Sequence, residues 1–294
     1  MFRKDHLKKP DWLKVRIPSG NEYKSIYRIL SKHNLATVCQ EARCPNIAEC
    51  WNKRSATVMI LGKVCTRACR FCAVKTGDPR GHVDEDEPAH VAEVVRALGL
   101  KYVVITSVDR DDLGDSGSAH YAQTILAIRD TSPGTRVEAL IPDFGGRVDF
   151  LKNVVDARPY VIGHNVETVR RLTPYIRDRR CGYDRSLEVL KKTKDLDDSI
   201  RTKSGFMVGL GEEEEEIAST LRDLKDAGVD IVTIGQYLQP TRKHIAVKKY
   251  YTPEEFTGFK EAGRAAGIEH MVSGPLVRSS YHAADVFQKA VQID

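Results

Sequence analysis

No run of apolar residues in this sequence comes near the roughly 18 to 20 that a membrane-crossing helix needs. The longest candidates, "TVMILG" and "YVVITSV", have the size of strands, so no membrane partner is expected. An apolar stretch is also missing from "MFRKDHLKKPDWLK" at the start, and nothing there predicts secretion. The sequence has no long internal repeat, and Glu212 to Glu216 is its one low-complexity tract. No zinc-finger, RNA-recognition or basic-helix pattern is present, which sets nucleic acid aside as a partner. Disulfide staples are not needed either, because 294 residues with 41% hydrophobic and 30% charged side chains can bury a full core. A reducing cytoplasmic setting is expected, where clustered cysteines serve metals or catalysis more often than disulfides.

Positive charge is present but uneven. The net charge is +5, and residues 1 to 54 alone hold twelve Lys or Arg against five Asp or Glu. This excess suits a solvated extension or a docking face for an acidic partner.

From Ser55 onward, short β-rich runs alternate with helical patterns. The predicted strands cover 57 to 62, 102 to 108, 136 to 142, 160 to 167, 202 to 210 and 230 to 238, with "PAHVAEVVRALGL", "AHYAQTILAIRD", "SLEVLKKTKDL" and "EEIASTLRDLKDAG" as helices among them. Strict alternation predicts β-α units around a parallel sheet, either an open doubly wound sheet or part of a barrel. The unusual polar residues gather where strands end, at "TSVDRDD", "HNVE", "GLGEEEEE" and "GQYLQPT", as they do on the working rim of a barrel. The expected class is therefore α/β, a partial (β/α)6 TIM-like barrel spanning 55–245. Extensions at 1–54 and 246–294 flank it, the second a closing appendage.

Six of the seven cysteines lie between residues 39 and 72, in two triplets. Cys65, Cys69 and Cys72 have C-x3-C-x2-C spacing directly after the first predicted strand, and this spacing also fits one face of a helix. A closed zinc site takes four ligands, commonly as two C-x2-C pairs, and neither triplet offers that. Three thiolates on a four-iron cluster leave one iron open to an outside ligand. Cys39, Cys44 and Cys50 are spaced so that a fold-back loop must gather them. Cys181 belongs to neither triplet, and is expected as a small packed residue without a ligand role.

"CTRACRFC" at the tip of a first strand resembles the signature of the radical SAM superfamily. "EARCPN", "ECW", "TSVDRDDL", "HNVETV", "MVGLGE", "GQYLQPT" and "SGPLVRSSYH", in this order, resemble the lipoyl synthase family over most of the chain. The resemblance implies two 4Fe-4S clusters: Cys65, Cys69 and Cys72 bind one that chelates S-adenosylmethionine. Cys39, Cys44 and Cys50 bind an auxiliary cluster, with the hydroxyl of Ser280 as its fourth ligand. An oxygen is a weak ligand beside soft thiolates, which suits an iron that must leave. The reaction implied is insertion of two sulfur atoms, drawn from the auxiliary cluster, at C6 and C8 of a protein-bound octanoyl-lysine. The implied partners are octanoylated lipoyl carrier domains (2-oxoacid dehydrogenase E2 subunits and the glycine cleavage H protein), and an electron donor such as ferredoxin or flavodoxin.

By analogy with the superfamily's rim positions, Ser107, Asp109, Asn165, Glu167 and Gln236 are the expected adenosylmethionine contacts. The Gly209 to Gly211 turn is expected where backbone approaches cofactor. Arg278 and Arg43 adjoin the auxiliary ligands in sequence and are candidates to donate to cluster sulfides or to the substrate amide.

Overall fold

The computed structural model describes residues 7–15, 18–53 and 55–281. Among these, strand β1 (Ala36–Thr37) pairs antiparallel with β2 (Thr57–Ile60) at one edge of an open sheet. In the loop after β2, the two-residue strands β3 (Val64–Cys65) and β4 (Lys75–Thr76) pair only with each other. The main sheet continues in parallel through β5 (Tyr102–Ser107), β6 (Arg136–Leu140), β7 (Val161–Gly163), β8 (Arg201–Val208), β9 (Ile231–Gln236) and β10 (His270–Gly274). Its order is β1-β2-β5-β6-β7-β8-β9-β10, so the two edges do not close.

Each predicted strand overlaps an observed one, and the helices fall between them. In the N-terminal part these are α1 (Asn21–Lys32), α2 (Val38–Glu41) and α3 (Ile47–Asn52). Between successive parallel strands come α4 (Glu87–Leu98), α5 (Ser118–Thr131), α6 (Val148–Asp156), the short α7 (Thr173–Ile176) with α8 (Tyr183–Leu196), α9 (Glu214–Asp226) and α10 (Pro253–Ala265). Parallel strands covered on both faces carry unbroken apolar runs instead of alternation. All four residues of β2 and all six of β9 are buried accordingly. The acidic run has the helix-starting role its position suggests: Glu213 and Glu216 form a reciprocal capping box at the start of α9. No helix among the described residues is long and apolar enough to cross a membrane.

Two features depart from the predicted architecture. The N-terminal extension does not stand apart. The buried face of α1, Ile26 and Leu30, joins the same core cluster as Met59, Ile105 and Val137, and Tyr23 stacks on the fully buried Trp51 at 4.9 Å. The sheet also continues into the segment expected as a closing appendage, since β10 pairs with β9 over five residues. Alternation stops signalling a strand there because α10 is followed by "HMVSG", whose residues are mostly half-buried.

Past β10 the chain crosses the end of β9 closely. A Cβ at Gly235 would lie 2.0 Å from the carbonyl oxygen of Val277, so only glycine admits this approach. The crossing segment is tied to the N-terminal part by Asn46 Nδ2 donating to the Leu276 carbonyl at 2.7 Å, and by Tyr281 Oη donating to Glu49 at 3.0 Å. Gly235→Ala is expected to destabilise the fold by about 1–3 kcal/mol through this overpacking. Gly258→Ala, in α10 with open space around the added carbon, is expected to stabilise by about 0.4–1 kcal/mol. Urea midpoints of the two variants check both signs.

Candidate active site

A cavity of about 530 Å³ opens at the C-terminal ends of the parallel strands. Its wall includes Cys65, Cys69 and Cys72 from one triplet, Cys39 and Cys44 from the other, and Ser280. Cys50 lies just behind this wall, close enough to Cys39 and Cys44 for their charges to be felt. Sequence positions more than 200 residues apart thus meet around one space.

The second triplet sits on an irregular loop, not on the helix its spacing also allowed. That loop is anchored by Arg67, whose guanidinium is nearly fully buried and meets three carboxylates: Asp109 at 3.2 Å, Asp111 at 2.7 Å and Asp143 at 2.8 Å. Burial costs a charge several kcal/mol unless partners surround it, and here they raise the Arg67 pKa against that burial. Asp111 and Asp143 are held below the usual carboxylate range; burial opposes the lowering, but hydrogen bonds from Arg67 prevail. Asp109 behaves differently. Burial, with help from Asp143 and Asp111, lifts it to about 6 in spite of Arg67.

The first triplet is folded back as its spacing required. Cys39 lies on α2 and Cys50 on α3, with Cys44 on the turn between them, where Arg43 adopts φ +53°. Ser280 lies on the same wall, in a crossing segment tethered to Asn46 and Glu49, neighbours of Cys44 and Cys50. Arg278 and Arg43 both line the cavity. Burial lowers the Arg278 pKa, and Cys44 is the anionic neighbour that acts against the lowering.

Of the remaining expected residues, Ser107, Asp109, Asn165 and Glu167 line the cavity. Ser107 Oγ and Asn165 Oδ1 are buried polar atoms with no hydrogen-bond partner among the described residues, so each has capacity for a ligand. Glu167 holds a φ of +66° at the point where its strand leaves the ladder, and burial raises its carboxyl. Gln236 stands apart and corrects the expectation. It is fully buried, is not on the cavity wall, donates to the carbonyls of Val208, Tyr237 and Lys249, and accepts from Tyr251 N–H. Both ends of its amide are engaged inside the protein. The Gly209–Gly211 turn is likewise off the wall; a Cβ at Gly209 would meet Gln236 Nε2 at 2.1 Å, so the backbone approaches Gln236 there.

Wall residues to which the sequence reading gave no role include Arg67, His164, Arg177 and Cys181. A signal for Arg67 was present, since a cation inside "CTRAC" faces the acidic "DRDD" once strand ends converge. Cys181, expected to pack without a role, lies beside Cys69, and no local pattern marks that contact.

The donor set fits a cluster on two grounds. Every one of the described thiols of the second triplet receives backbone N–H: Arg67 and Asp109 donate to Cys65 (both 3.4 Å), Asp178 to Cys69 (3.3 Å) and Val74 to Cys72. Thr57 and Asn46 donate to Cys39 and Cys44 in the first triplet. Such donors complement anionic sulfur and tune cluster potentials. As free thiols these groups resist ionisation, because burial pushes Cys39 to about 11 and Cys50 and Cys65 to about 12. Metal must therefore take the place of the proton. Among the described residues, no three His, Cys, Asp or Glu side chains converge as around a single ion. Three thiols around one space could each hold a different iron of a cubane. The residues fit.

Residues 59–224 match the radical SAM superfamily, and residues 2–44 match the N-terminal domain of lipoyl synthase. The chain is 55% identical to the lipoyl synthase of Rubrobacter xylanophilus, over 96% of its own length and 87% of the relative's. It is 53% identical to that of Halorhodospira halophila, over 96% and 84%. The chain belongs to the lipoyl synthase family. The chain is thus a radical SAM, sulfur-inserting enzyme, and the superfamily works with a 4Fe-4S cluster and S-adenosylmethionine. Its fold is shared at low identity. SuiB of Streptococcus suis, bound to its precursor peptide, superposes with a TM-score of 0.58 at 12% identity, covering 91% of this chain and 55% of SuiB. The FeFe-hydrogenase maturase HydG gives 0.57 at 15%, covering 85% and 63%. The partial barrel inferred from strand alternation agrees with both.

Among the wall groups whose titration couples to stability is a histidine. His164 is fully buried, with Nδ1 2.9 Å from the Ile141 carbonyl and Nε2 2.9 Å from Ser186 Oγ. Burial, then the Arg177 charge, lowers its pKa to about 4. The unfolded chain takes up that proton near pH 6.5 and the folded one does not, so stability falls as pH drops between those values. The loss approaches about 3 kcal/mol. Urea unfolding from pH about 7 to about 4 is expected to show a shallower fall in His164→Gln than in the natural sequence.

Proposed function

We propose that this chain inserts sulfur at C6 and C8 of an octanoyl group carried on a lysine of a lipoyl carrier domain. The observation that carries this reading is the single cavity walled by thiols of both triplets together with Ser280. In this reading Cys65, Cys69 and Cys72 hold one 4Fe-4S cluster, and Cys39, Cys44, Cys50 and Ser280 hold a second, auxiliary one. With S-adenosylmethionine beside the first, the clusters supply a hydrogen-abstracting radical and the sulfur that replaces the hydrogen.

The protein's own part is placement and exclusion. Ser107 and Asn165, with unengaged buried acceptors, and Asp109 and Glu167 on the same wall, are the groups proposed to hold adenosylmethionine. Val108, Phe206, Met207, Tyr237 and Leu238 give the wall apolar surface along which an acyl chain can lie. Positioning one carbon near each reactive centre supplies much of the rate, and an apolar wall keeps water from quenching the chemistry. Arg278 offers positive charge beside Cys44, compensating anionic sulfur. The proposed division at 1–54, 55–245 and 246–294 places the auxiliary thiols in the first part and Ser280 in the last, which also supplies β10 to the sheet; the tail from 282 lies outside the described residues.

The proposed partners are octanoylated E2 subunits of 2-oxoacid dehydrogenases and the glycine cleavage H protein, with ferredoxin or flavodoxin as electron donor. The basic excess of residues 1 to 54 favours an acidic docking surface on the carrier. Neither nucleic acid nor membrane takes part, and the cytoplasm is the proposed compartment.

The test is anaerobic reconstitution, with iron and sulfide counted, followed by reductant, adenosylmethionine and an octanoyl-lysine peptide. About eight irons per chain are expected for two cubanes, with a dithiolated peptide by mass spectrometry. Cleavage of adenosylmethionine without sulfur on the peptide would point to another substrate, and zinc in place of iron would overturn the reading. Cys50→Ala is expected to hold about half the iron and to cleave adenosylmethionine without forming lipoyl product, whereas Cys65→Ala loses the cleavage itself.

A further inference from the structure

The loop that carries Cys69 has an inner and an outer side. Arg67, Cys69 and Phe71 line the cavity, whereas Ala68 and Arg70 are off its wall and exposed. Two other segments hold the outer side in place. From the first, Asp178 N–H donates to the Cys69 sulfur at 3.3 Å, and Asp178 Oδ2 accepts from Ala68 N–H at 2.8 Å. The carbonyls of Ile176 and Tyr175 accept from Arg70 N–H at 2.8 Å and from its Nη1 at 3.0 Å. From the second, Ile245 N–H donates to the Arg70 carbonyl at 3.3 Å, and His244 Nε2 donates to the Cys72 carbonyl at 2.9 Å. The surface these three segments share is basic. Arg70, Arg179, Arg180, Arg242 and Lys243 are all exposed, and among the described residues only Arg180 of the five is ion-paired with carboxylates. Tyr175, 65% exposed, is the most open large hydrophobic residue of the described chain, and its carbonyl is the one that holds Arg70.

We propose that this outer face is the docking surface for the electron donor, an acidic one-electron carrier protein. The inference rests on the function proposed above and deepens it by giving the donor a place. Cations without carboxylate partners of their own complement an acidic surface and speed its encounter. Arginine and tyrosine together are also the residue types that most often anchor protein interfaces. Position selects the electron carrier over the acyl carrier. A partner seated here stands behind Cys69, with only the hydrogen-bonded backbone of Ala68 and Asp178 between it and the sulfur, so an electron need not pass through the cavity. An acyl chain must enter the cavity, and Ala68 and Arg70 do not border it. The docked carrier is oxidised by one electron, and the reductive cleavage of one adenosylmethionine consumes that electron.

The test compares two triple variants of the full, iron-loaded chain. One combines Arg179→Glu, Arg242→Glu and Lys243→Glu on the proposed face. The other makes the same change in charge on the exposed sides of α8, α9 and α10, with Lys191→Glu, Arg222→Glu and Arg264→Glu. Calorimetry reads the affinity of each chain for flavodoxin and for ferredoxin at about 50 and 200 mM salt. The natural chain is expected to bind at least one of the two, more weakly at the higher salt. The variant on the proposed face is expected to lose about tenfold in that affinity, and the remote variant to keep it. A second readout is adenosylmethionine cleavage, driven either by the reduced carrier or by dithionite, which needs no docking. The KM for the carrier should rise severalfold in the first variant alone, with dithionite-driven cleavage alike in all three chains. Equal affinities in the natural chain and the first variant would overturn the proposal. So would an equal loss in the remote variant, binding of neither carrier to the natural chain, or a loss of affinity for an octanoylated carrier domain in place of the electron carrier. Failure of dithionite-driven cleavage in the natural chain would count against the proposed function instead, and the affinities would still decide the surface.

Discussion

The site depends first on one buried cation. The loop carrying Cys65, Cys69 and Cys72 has no regular backbone of its own beyond the paired β3 and β4, and a loop of that kind holds three sulfurs in place only if something inside it is fixed. Arg67 supplies this. Its guanidinium reaches carboxylates that follow β5 and β6, so the loop after β2 is locked to the two next strand ends of the barrel. Removing any one carboxylate would leave a buried charge underpaired, which is why a network of this kind is brittle to single substitutions but rigid when whole.

The parallel sheet explains why the polar groups converge at all. Strands that run the same way deliver all their C-terminal ends to one rim. "TSVDRDD" and "HNVE" meet there although they lie far apart in sequence. This part of the site was legible, because polar residues at successive predicted strand ends must share a face whatever the exact register. The cysteine spacings were legible for a similar reason: each triplet is local, so gathering it requires only a loop.

What was not legible depends on contacts whose distance in sequence leaves no periodic trace. Cys181 reaches the cavity wall from a turn more than 100 residues beyond Cys69, and nothing near Cys181 announces it. Gln236 misled in the opposite direction. A polar residue at a strand end resembles a ligand contact, but here its amide fastens the segment around Lys249 and Tyr251 to the end of β9. The strand at 160 to 167 was predicted too long because His164–Glu167 keep bonding toward β8 after the ladder with β6 has ended. The edge strands β1 and β10 were missed because one is two residues long and the other lacks the apolar density of a central strand.

The tether between Asn46 and Leu276 spans 230 positions. On a ribosome adding roughly 5–20 residues per second, that span takes on the order of 10–50 s. For that interval the first three cysteines exist on a growing polypeptide whose closing segment has not yet been made. The proposed auxiliary site would therefore be a late structure in the life of each molecule, its thiols staying reduced and unclaimed until the chain is nearly complete. A cell making this protein faces a question of timing as well as of chemistry: iron and sulfide delivered to those thiols too early would meet three of the four proposed ligands.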